Sequence, residues 1–265
     1  MVDLHCHILH GLDDGAKSLD EAAEMAKMAE IDGITQIVAT PHLFRGDFTP
    51  KDLGVIQRKI DELSYVLEKN RIGVEIIKGA EVHISHNLID EIRKNRDHLV
   101  LNGSSYIILE FPAGHVFSGV KELLFDLLSE GMRPIIAHPE RNYVFMRNPD
   151  LLYELVEAGA LTQANSGSFT GLYGRQVEET AFRFLELNLT HLMGSDAHNP
   201  RPSSLWFSQA LKNMGEKTGQ EVSYLVNDNP HAVLEGRELV HQPEAINPRK
   251  SEKACKIKIP KFFRK

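Results

Sequence analysis

The sequence predicts an α/β protein that forms a distorted (β/α)₇ barrel. Seven short apolar segments alternate with amphipathic segments, and unbroken apolar runs of this kind are typical of parallel strands covered by helices. Polar side chains follow most of these runs, as in barrels whose site lies at the C-terminal ends of the strands. The alternative is an open doubly wound sheet, which also places its site at the strand ends.

Each predicted strand is followed by a predicted helix. The strands are residues 2–7, 36–40, 74–82, 106–111, 133–138, 161–165 and 190–196. The first helix begins after Ser18, with Glu21 at the capping-box position, and ends at Gly33. Further helices are predicted over residues 49–70, 86–96, 118–130, 149–158 and 173–188, and again before residue 236. This alternation is the βα repeat of a parallel barrel.

The charge is unevenly distributed over the 265 residues, of which 42% are hydrophobic. Residues 249–265 hold eight Lys or Arg and one Glu, so they carry +7 and leave −14 for the rest of a chain whose net charge is −7. We therefore predict a barrel domain over 1–247 and a flexible basic tail over 248–265. The acidic body argues against nucleic acid as a partner. The tail is either a solvated end or a weak contact for an anionic membrane or an acidic partner.

The two cysteines, Cys6 and Cys255, lie at opposite ends of the chain and give no disulfide framework, which fits a reducing compartment. The strand at the start leaves no room for a signal peptide, and no apolar run approaches the roughly 18 residues of a membrane span. A cytoplasmic location is therefore expected. A cysteine phosphatase, which needs Cys-x₅-Arg, is excluded because Leu12 and Lys261 stand at the Arg positions.

Nine possible metal ligands lie at or just beyond the predicted strand ends. His5 and His7 share one side of a strand because side chains alternate, and Glu81 lies in an apolar strand where an unpaired carboxylate would be costly. Each residue alone could make an ordinary hydrogen bond or ion pair, but their recurrence at the same ends predicts two or three divalent ions such as Mn, Fe or Zn. The nine are His5, His7, Asp14, His42, Glu81, Glu110, His138, Asp196 and His198.

Several motifs together resemble the polymerase and histidinol phosphatase (PHP) superfamily, and within it the bacterial CpsB/YwqE-type tyrosine phosphatases. The resemblance covers about residues 1–240 and rests on Asp3-Leu4-His5-Cys6-His7, Asp13-Asp14-Gly15, Ala39-Thr40-Pro41-His42, Gly79-Ala80-Glu81, Leu109-Glu110-Phe111, Ala137-His138-Pro139-Glu140-Arg141 and Gly194-Ser195-Asp196-Ala197-His198-Asn199. It implies a distorted (β/α)₇ barrel of PHP fold with a trinuclear, manganese-preferring centre.

The resemblance also implies how the ligands divide among the ions. One ion would take His5, His7, Glu81 and Asp196; a second Glu81, Glu110 and His138; a third Asp14, His42 and His198. His83 follows Glu81 where aromatic residues are common in relatives. It is expected to line the substrate pocket rather than to bind an ion.

Arginines next to the ligands are expected to bind phosphate, because a guanidinium matches phosphate oxygens bidentately. Arg141 and Arg201 each stand three residues after a ligand histidine, and the resemblance supports both; Arg45 is a weaker third candidate. The expected chemistry is attack of a metal-bound hydroxide on phosphorus. His42 and His198 are the candidate proton donors, although a metal-bound imidazole donates poorly, and a tyrosine phenolate needs little help in leaving.

The sequence therefore predicts a metal-dependent protein-tyrosine phosphatase. The resemblance implies a bacterial tyrosine kinase that regulates capsular or exopolysaccharide synthesis as its substrate. The main alternative is a small-molecule phosphatase such as histidinol-phosphate phosphatase. A nuclease and a non-catalytic metal scaffold are weaker alternatives, because the body is acidic and the ligand set is complete. The sequence assigns no oligomeric state.

Overall fold

The computed structural model describes residues 1–85, 87–201 and 205–250. The strands are β1 (Val2–Cys6), β2 (Gln36–Ala39), β3 (His42–Leu43), β4 (Glu75–Lys78), β5 (Glu81–His83), β6 (Tyr106–Glu110), β7 (Arg133–Ala137), β8 (Leu161–Asn165) and β9 (Leu192–Gly194). The helices are α1 (Leu19–Ile31), α2 (Val55–Lys69), α3 (Leu88–Leu99), α4 (Val120–Ser129), α5 (Tyr143–Arg147), α6 (Pro149–Glu157), α7 (Arg175–Glu186), α8 (Phe207–Thr218) and α9 (Asp228–Leu234). Residue 86 of the predicted third helix and residues 251–265 of the predicted tail lie outside the described residues.

The described strands pair in parallel throughout and form two sheets, in the orders β1-β2-β4 and β3-β5-β6-β7-β8-β9. The end of β1 lies against the segment after β9, where His7 N donates to Ala197 O at 2.9 Å and Asp196 N to His5 O at 2.7 Å. This arrangement confirms the predicted distorted barrel. One continuous closed ladder is not detected among the described strands, because pairing passes from one sheet to the other where the chain bends.

The chain breaks its strand pairing directly before two candidate ligands, Glu81 and His42. The predicted strand 74–82 is wrong as one element, since β4 ends at Lys78 and Glu81 opens β5 in the other sheet. A Cβ on Gly79 would lie 2.6 Å from Cγ1 of Val38, so only glycine lets the chain bend this closely. Pro41, which has no N–H to donate, similarly separates β2 from β3 and its first residue, His42.

Inward side chains form an apolar layer below a polar layer. The apolar layer contains Leu4, Val38, Ile77, Ile108, Ile135, Leu161 and Leu192. The polar layer above it contains His5, His7, Glu81, Glu110, Gln163, Asn165 and Asp196, all of them buried. Along β6 and β8, residues of the two layers are two positions apart, as the strand period requires. The strands therefore deliver their polar groups at their C-terminal ends.

Strand β1 is irregular where it enters the site. Its register against β2 shifts between Asp3 and Cys6. Leu4 belongs to the inner apolar layer, whereas Cys6 packs in the outer core between strands and helices. A regular strand would place both on one face, so the shift turns His5 and His7 inward and Cys6 outward.

The helices cover the outside of the ring with one apolar face. Helix α2, for example, buries Ile56, Ile60, Leu63 and Leu67 at helical spacing. It begins at Val55, later than predicted, because residues 52–54 form a turn in which Val55 N donates to Asp52 O at 3.1 Å. The predicted cap of α1 is confirmed, since Glu21 N donates to Ser18 Oγ at 3.2 Å. None of the described helices combines the length and apolar character that a membrane span requires.

Candidate metal centre

Four predicted ligands form a fully buried set, which we call the inner group: His5, His7, Glu81 and Asp196. Glu81 Oε2 lies 3.4 Å from Nε2 of both histidines, and Asp196 Oδ1 lies 3.3 Å from Nε2 of His7. These atoms come from β1 and the residue directly after it, from β5 and from the turn after β9, so the inner group exists only once those segments have met. The set is the one assigned to a single ion by the sequence resemblance.

A second set, the outer group, contains Asp14, His42 and His198 and shares His7 with the inner group. Asp14 Oδ1 lies 3.3 Å from His198 Nε2 and 3.4 Å from His42 Nε2. The Asp14 side chain is 46% exposed and that of His198 is 27% exposed. The outer group is therefore open to solvent at Asp14 and His198, whereas its His42 is buried like the inner group.

The remaining two predicted ligands both lie close to the Glu81 carboxylate or to its neighbours. His138 Nε2 is 3.0 Å from Glu81 Oε1. Glu110 joins a third set with Glu81 and His42, whose Nδ1 lies 2.8 Å from Glu81 Oε2. The structure thus brings all nine predicted ligands together, with His42 closer to Glu81 than the predicted division among ions implied.

A layer of hydrogen bonds behind the inner group fixes its histidines. The side-chain amide N–H of Gln163 donates to Ala164 O, which leaves Oε1 to accept from Nδ1 of His5 at 2.7 Å. Nδ1 of His7 donates to Asp13 Oδ2, also at 2.7 Å. Both histidines therefore direct Nε2 at the cluster, the orientation that outer partners give to metal-binding imidazoles.

This donor set fits divalent cations. Glu81 Oε2 is buried and accepts no hydrogen bond of acceptable geometry in the described structure, although three imidazole nitrogens surround it. Nε2 of His5 and Nε2 of His7 face each other at 3.3 Å, and with both Nδ1 atoms already donating, two neutral rings would oppose their lone pairs. A cation among these atoms satisfies the carboxylate oxygen and both lone pairs.

The electrostatics of the cluster also favour a bound cation. Burial is the largest single influence and lowers the pKa of His5, but the contact with Glu81 and the charges of Glu81 and Asp196 together outweigh it and raise that pKa to about 9. Burial raises the pKa of Glu81, yet the neighbouring histidines hold it well below its usual range, and Asp196 behaves likewise. Burial and the charge of His7 lower the pKa of His198 and favour the neutral ring that binds metals. Two buried carboxylates thus stay ionised and require positive charge beside them.

Of the predicted phosphate-binding arginines, Arg141 is held at the rim of the centre. Its guanidinium pairs with Asp196 Oδ2 and lies 4.4 Å from the centre of the Tyr173 ring. Arg45 also enters the site, where it contacts His42 and lies 3.4 Å from Glu110 Oε1. Arg201 is exposed on the loop beyond His198. The predicted pocket residue His83 lies 3.1 Å from Glu110 through Nδ1.

Several positioning groups were missed by the sequence reasoning. Asn165 donates to Asp196 Oδ2 at 2.8 Å, and its own N–H donates to Glu140 Oε1 at 2.9 Å. Gln163 and Asn165 stand two residues apart in a fully buried strand, and that spacing is the signal that could have identified them. Asp13 accepts from Gly15 N in the turn after β1, and it also accepts from His7 Nδ1 and from His42 N.

Two predicted ligands have strained backbones. His138 has φ +32° and Asp196 has φ +53°. Residues other than glycine are uncommon at positive φ. His138 N donates to Gln163 O at 2.7 Å, and Asp196 N donates to His5 O, so neighbouring strands hold both residues in place. Such strain is found where a site dictates the direction of a side chain.

Cys6 is not a nucleophile in this site. Its thiol is buried in the outer core and donates to Ala197 O at 3.7 Å. Burial raises the pKa of the thiol well above its usual range, so the reactive thiolate is disfavoured. The exclusion of cysteine phosphatase chemistry agrees with this position.

Comparison with known proteins identifies the family. A family model for capsular polysaccharide synthesis, CpsB/CapC, matches residues 1–235. The tyrosine-protein phosphatase YwqE of Bacillus subtilis is 37% identical over 243 residues, which are 92% of this chain and 95% of that protein. The tyrosine-protein phosphatase CpsB of Streptococcus pneumoniae is 29% identical over 88% of this chain and 98% of its own length.

Solved structures agree with the sequence comparisons. A structure described as a metal-dependent tyrosine phosphatase, from work on YwqE of Bacillus subtilis and CpsB of Streptococcus pneumoniae, superposes with a TM-score of 0.87 at 36% identity and covers 93% of this chain and 99% of its own. Histidinol phosphate phosphatase of Lactococcus lactis, at 16% identity and a TM-score of 0.51, covers 81% of this chain and 93% of its own, and shares the fold alone. The resemblance to CpsB/YwqE-type enzymes is confirmed, and the chain belongs to the CpsB/CapC family of capsular polysaccharide synthesis proteins.

Proposed function

We propose that this protein is a metal-dependent protein-tyrosine phosphatase that acts on a phosphorylated bacterial tyrosine kinase of capsular or exopolysaccharide synthesis. The observation that carries the proposal is the three overlapping sets of ligand atoms at one end of the barrel, with an arginine at their rim. The relatives named tyrosine-protein phosphatases, at 29–37% identity over most of the chain, support the substrate class.

The inner group, the outer group, Glu110 and His138 would hold two or three divalent ions, with Mn as the proposed metal and Fe or Zn as the alternatives. Such ions supply Lewis-acid chemistry: they lower the pKa of water and stabilise charge on phosphoryl oxygens. The contribution of the protein is to keep Glu81 and Asp196 ionised and the histidines oriented before substrate arrives.

Arg141 orients the phosphoryl group in this proposal. The side chain is 36% exposed, so it can reach a bound phosphate while Asp196 and Tyr173 keep its guanidinium in one place. Burial raises the pKa of Tyr173 to about 12, so the ring under Arg141 stays neutral. Arg201 and Arg45 are proposed as further phosphate contacts.

The leaving group requires little assistance. The phenolate of tyrosine leaves with a pKa of about 10, well below that of an alkyl alcohol. His42 and His198 are proposed to hold ions rather than to supply a proton. We also propose that the enzyme works in the cytoplasm, where its kinase substrate would present phosphotyrosine, and that the basic tail contacts an acidic partner or membrane weakly if at all.

The decisive test compares three substrates with Mn²⁺-loaded protein: a phosphotyrosine peptide, histidinol phosphate and single-stranded DNA. We expect turnover of the phosphotyrosine peptide. Rapid hydrolysis of histidinol phosphate without hydrolysis of the peptide would instead support the small-molecule phosphatase. Fe²⁺ and Zn²⁺ tested in parallel would decide which metal supports turnover.

A further inference from the structure

A groove of about 320 Å³ opens directly beside the metal centre. Its lining includes Ile84, Ile89, Pro112, Phe117, Glu122, Leu123 and Asp126. Ile84 is the residue after His83, and its N–H donates to Glu110 O at 3.1 Å. Pro112 is two residues after Glu110. Because His83 and Glu110 both lie in the site, the groove begins at the edge of the site where these two residues stand.

The floor of the groove is apolar. Ile84, Ile89, Phe117 and Leu123 are half-buried, with one side packed on the core and the other facing the groove. A volume of this size takes one or two side chains and not a folded domain. Apolar surface of this kind, next to a site that receives a phosphorylated side chain, suits the neighbouring residue of an extended peptide.

One wall of the groove is acidic. Glu122 and Asp126 lie one turn apart on α4, and both side chains are exposed. Of the nearby cations, Lys121 on α4 pairs with Glu154 at 2.8 Å, and Arg93 on α3 pairs with Glu130 at 2.6 Å and also interacts electrostatically with Asp126. In the described part of the chain Glu122 forms no ion pair, so this wall can attract a cation from outside.

We propose that the groove is a specificity subsite for the residues next to phosphotyrosine: an apolar side chain enters it, and an adjacent Lys or Arg faces Glu122 and Asp126. This inference rests on the proposed phosphatase activity. The site would thus select its substrate with two regions of opposite charge. Arg141 would bind the phosphate, and the acidic wall on α4 would bind a basic flanking residue.

The test uses full-length, Mn²⁺-loaded protein and three phosphotyrosine peptides, with Leu-Lys, Leu-Glu or Gly-Lys next to the phosphotyrosine on either side. We expect kcat/KM for Leu-Lys to exceed that for Leu-Glu about fivefold, the size of an exposed ion pair. It should exceed that for Gly-Lys about tenfold, because the groove no longer buries the leucine. An aryl phosphate, which lacks flanking residues, is the reference substrate.

The protein variant Glu122→Lys/Asp126→Lys should reverse the preference between Leu-Lys and Leu-Glu and leave aryl phosphate turnover unchanged. The matched control is Asp20→Lys/Glu24→Lys on α1, which also reverses a first-turn acid and an exposed acid four residues later. The control should keep the preference of the wild type.

The outcomes separate the two hypotheses. If the wild type hydrolyses all substrates without distinguishing the peptides, or if the α4 variant keeps the original preference, the subsite proposal is wrong while the phosphatase proposal stands. If neither peptide nor aryl phosphate is hydrolysed, the phosphatase proposal itself fails. If the α4 reversal changes the oligomeric state in solution, the groove is an interface between copies and the proposal is overturned.

Discussion

The inner and outer groups of the metal centre differ in how firmly the fold holds them. The inner group is fully buried, and Gln163, Asn165 and Asp13 fix its side chains through hydrogen bonds of 2.7–2.8 Å. In the outer group Asp14 is 46% exposed and comes from the loop after β1. The strands and their hydrogen bonds therefore preorganise the inner group, whereas the outer group depends on loops that can adapt. We therefore expect a tightly bound ion in the inner group and a weaker ion in the outer group.

The largest effect is expected from Glu81→Gln. The substitution keeps the shape of the side chain but removes the charge that faces His5, His42 and His138. Turnover of an aryl phosphate should fall at least about a thousandfold, because the ions lose their shared carboxylate. Circular dichroism of the variant should match the wild type. Activity within tenfold of the wild type would mean that Glu81 is not a ligand.

A smaller loss is expected from Gln163→Leu, which tests the orienting layer without touching a proposed ligand. Freed from Gln163, His5 can rotate, and metal affinity of the inner group should fall about 10- to 100-fold. Calorimetric titration of metal into stripped protein measures this change. Gln57→Leu, at an exposed position on α2, is the control and should leave affinity unaltered. Equal affinities in both variants would contradict preorganisation by β8.

A buried histidine at the opposite end of the barrel separates acid effects on the fold from acid effects on the metal centre. Burial lowers the pKa of His191 to about 4. Between pH 4 and pH 6.5 the unfolded chain therefore binds the proton that the folded chain excludes, so this contribution is complete above about pH 6.5 and is lost as the pH falls.

When the pH of metal-free protein falls from 7.5 to 5, the unfolded chain takes up a proton on His191 and the folded chain does not. This difference should lower the free energy of unfolding by about 2 kcal/mol. Urea unfolding of the wild type and of His191→Leu over this range measures the difference in slope. Comparison with the variant cancels the opposite contributions of His5 and His7, whose pKa values are raised. Identical slopes would show that His191 does not titrate in this range.

The smallest effect is expected from Asp14→Asn. The exposed carboxylate contributes one oxygen to the outer group and none to the inner group. One class of ion should bind about tenfold more weakly while the tighter class is unaffected, since an exposed ligand is readily replaced by water. Metal content measured at several free-ion concentrations distinguishes the classes. A uniform loss of all ions would contradict the division of the centre into an inner and an outer group.

The sequence was most informative about side chains that the strand ends deliver. His5, His42, Glu81, Glu110, His138 and Asp196 could be predicted as neighbours because parallel strands place their C-terminal ends at one edge. The break at Gly79 could not be predicted, since it depends on contact with a distant segment, Val38. The same is true of the register shift in β1, which only its partner strand reveals.

The orienting layer was harder to predict than the ligands. Glutamine and asparagine in β8 carry no charge and match no metal-binding pattern, so their role follows only from their distances to His5 and Asp196. The groove beside the site likewise combines the starts of α3 and α4 with the ends of β5 and β6, which no local pattern connects. Both features are determined by long-range packing rather than by residue type.

The contact between β1 and the segment after β9 also sets an order of events during synthesis. Cys6 and Ala197 are 191 residues apart, yet they are neighbours in the finished barrel. At about 5–20 residues per second, the ribosome needs roughly 10–40 seconds to add the residues between them. His5 and His7 thus emerge early and wait for Asp196 and His198. The proposed metal centre is consequently complete only late in synthesis, and a chain released before Asp196 lacks one side chain of the inner group and one of the outer group.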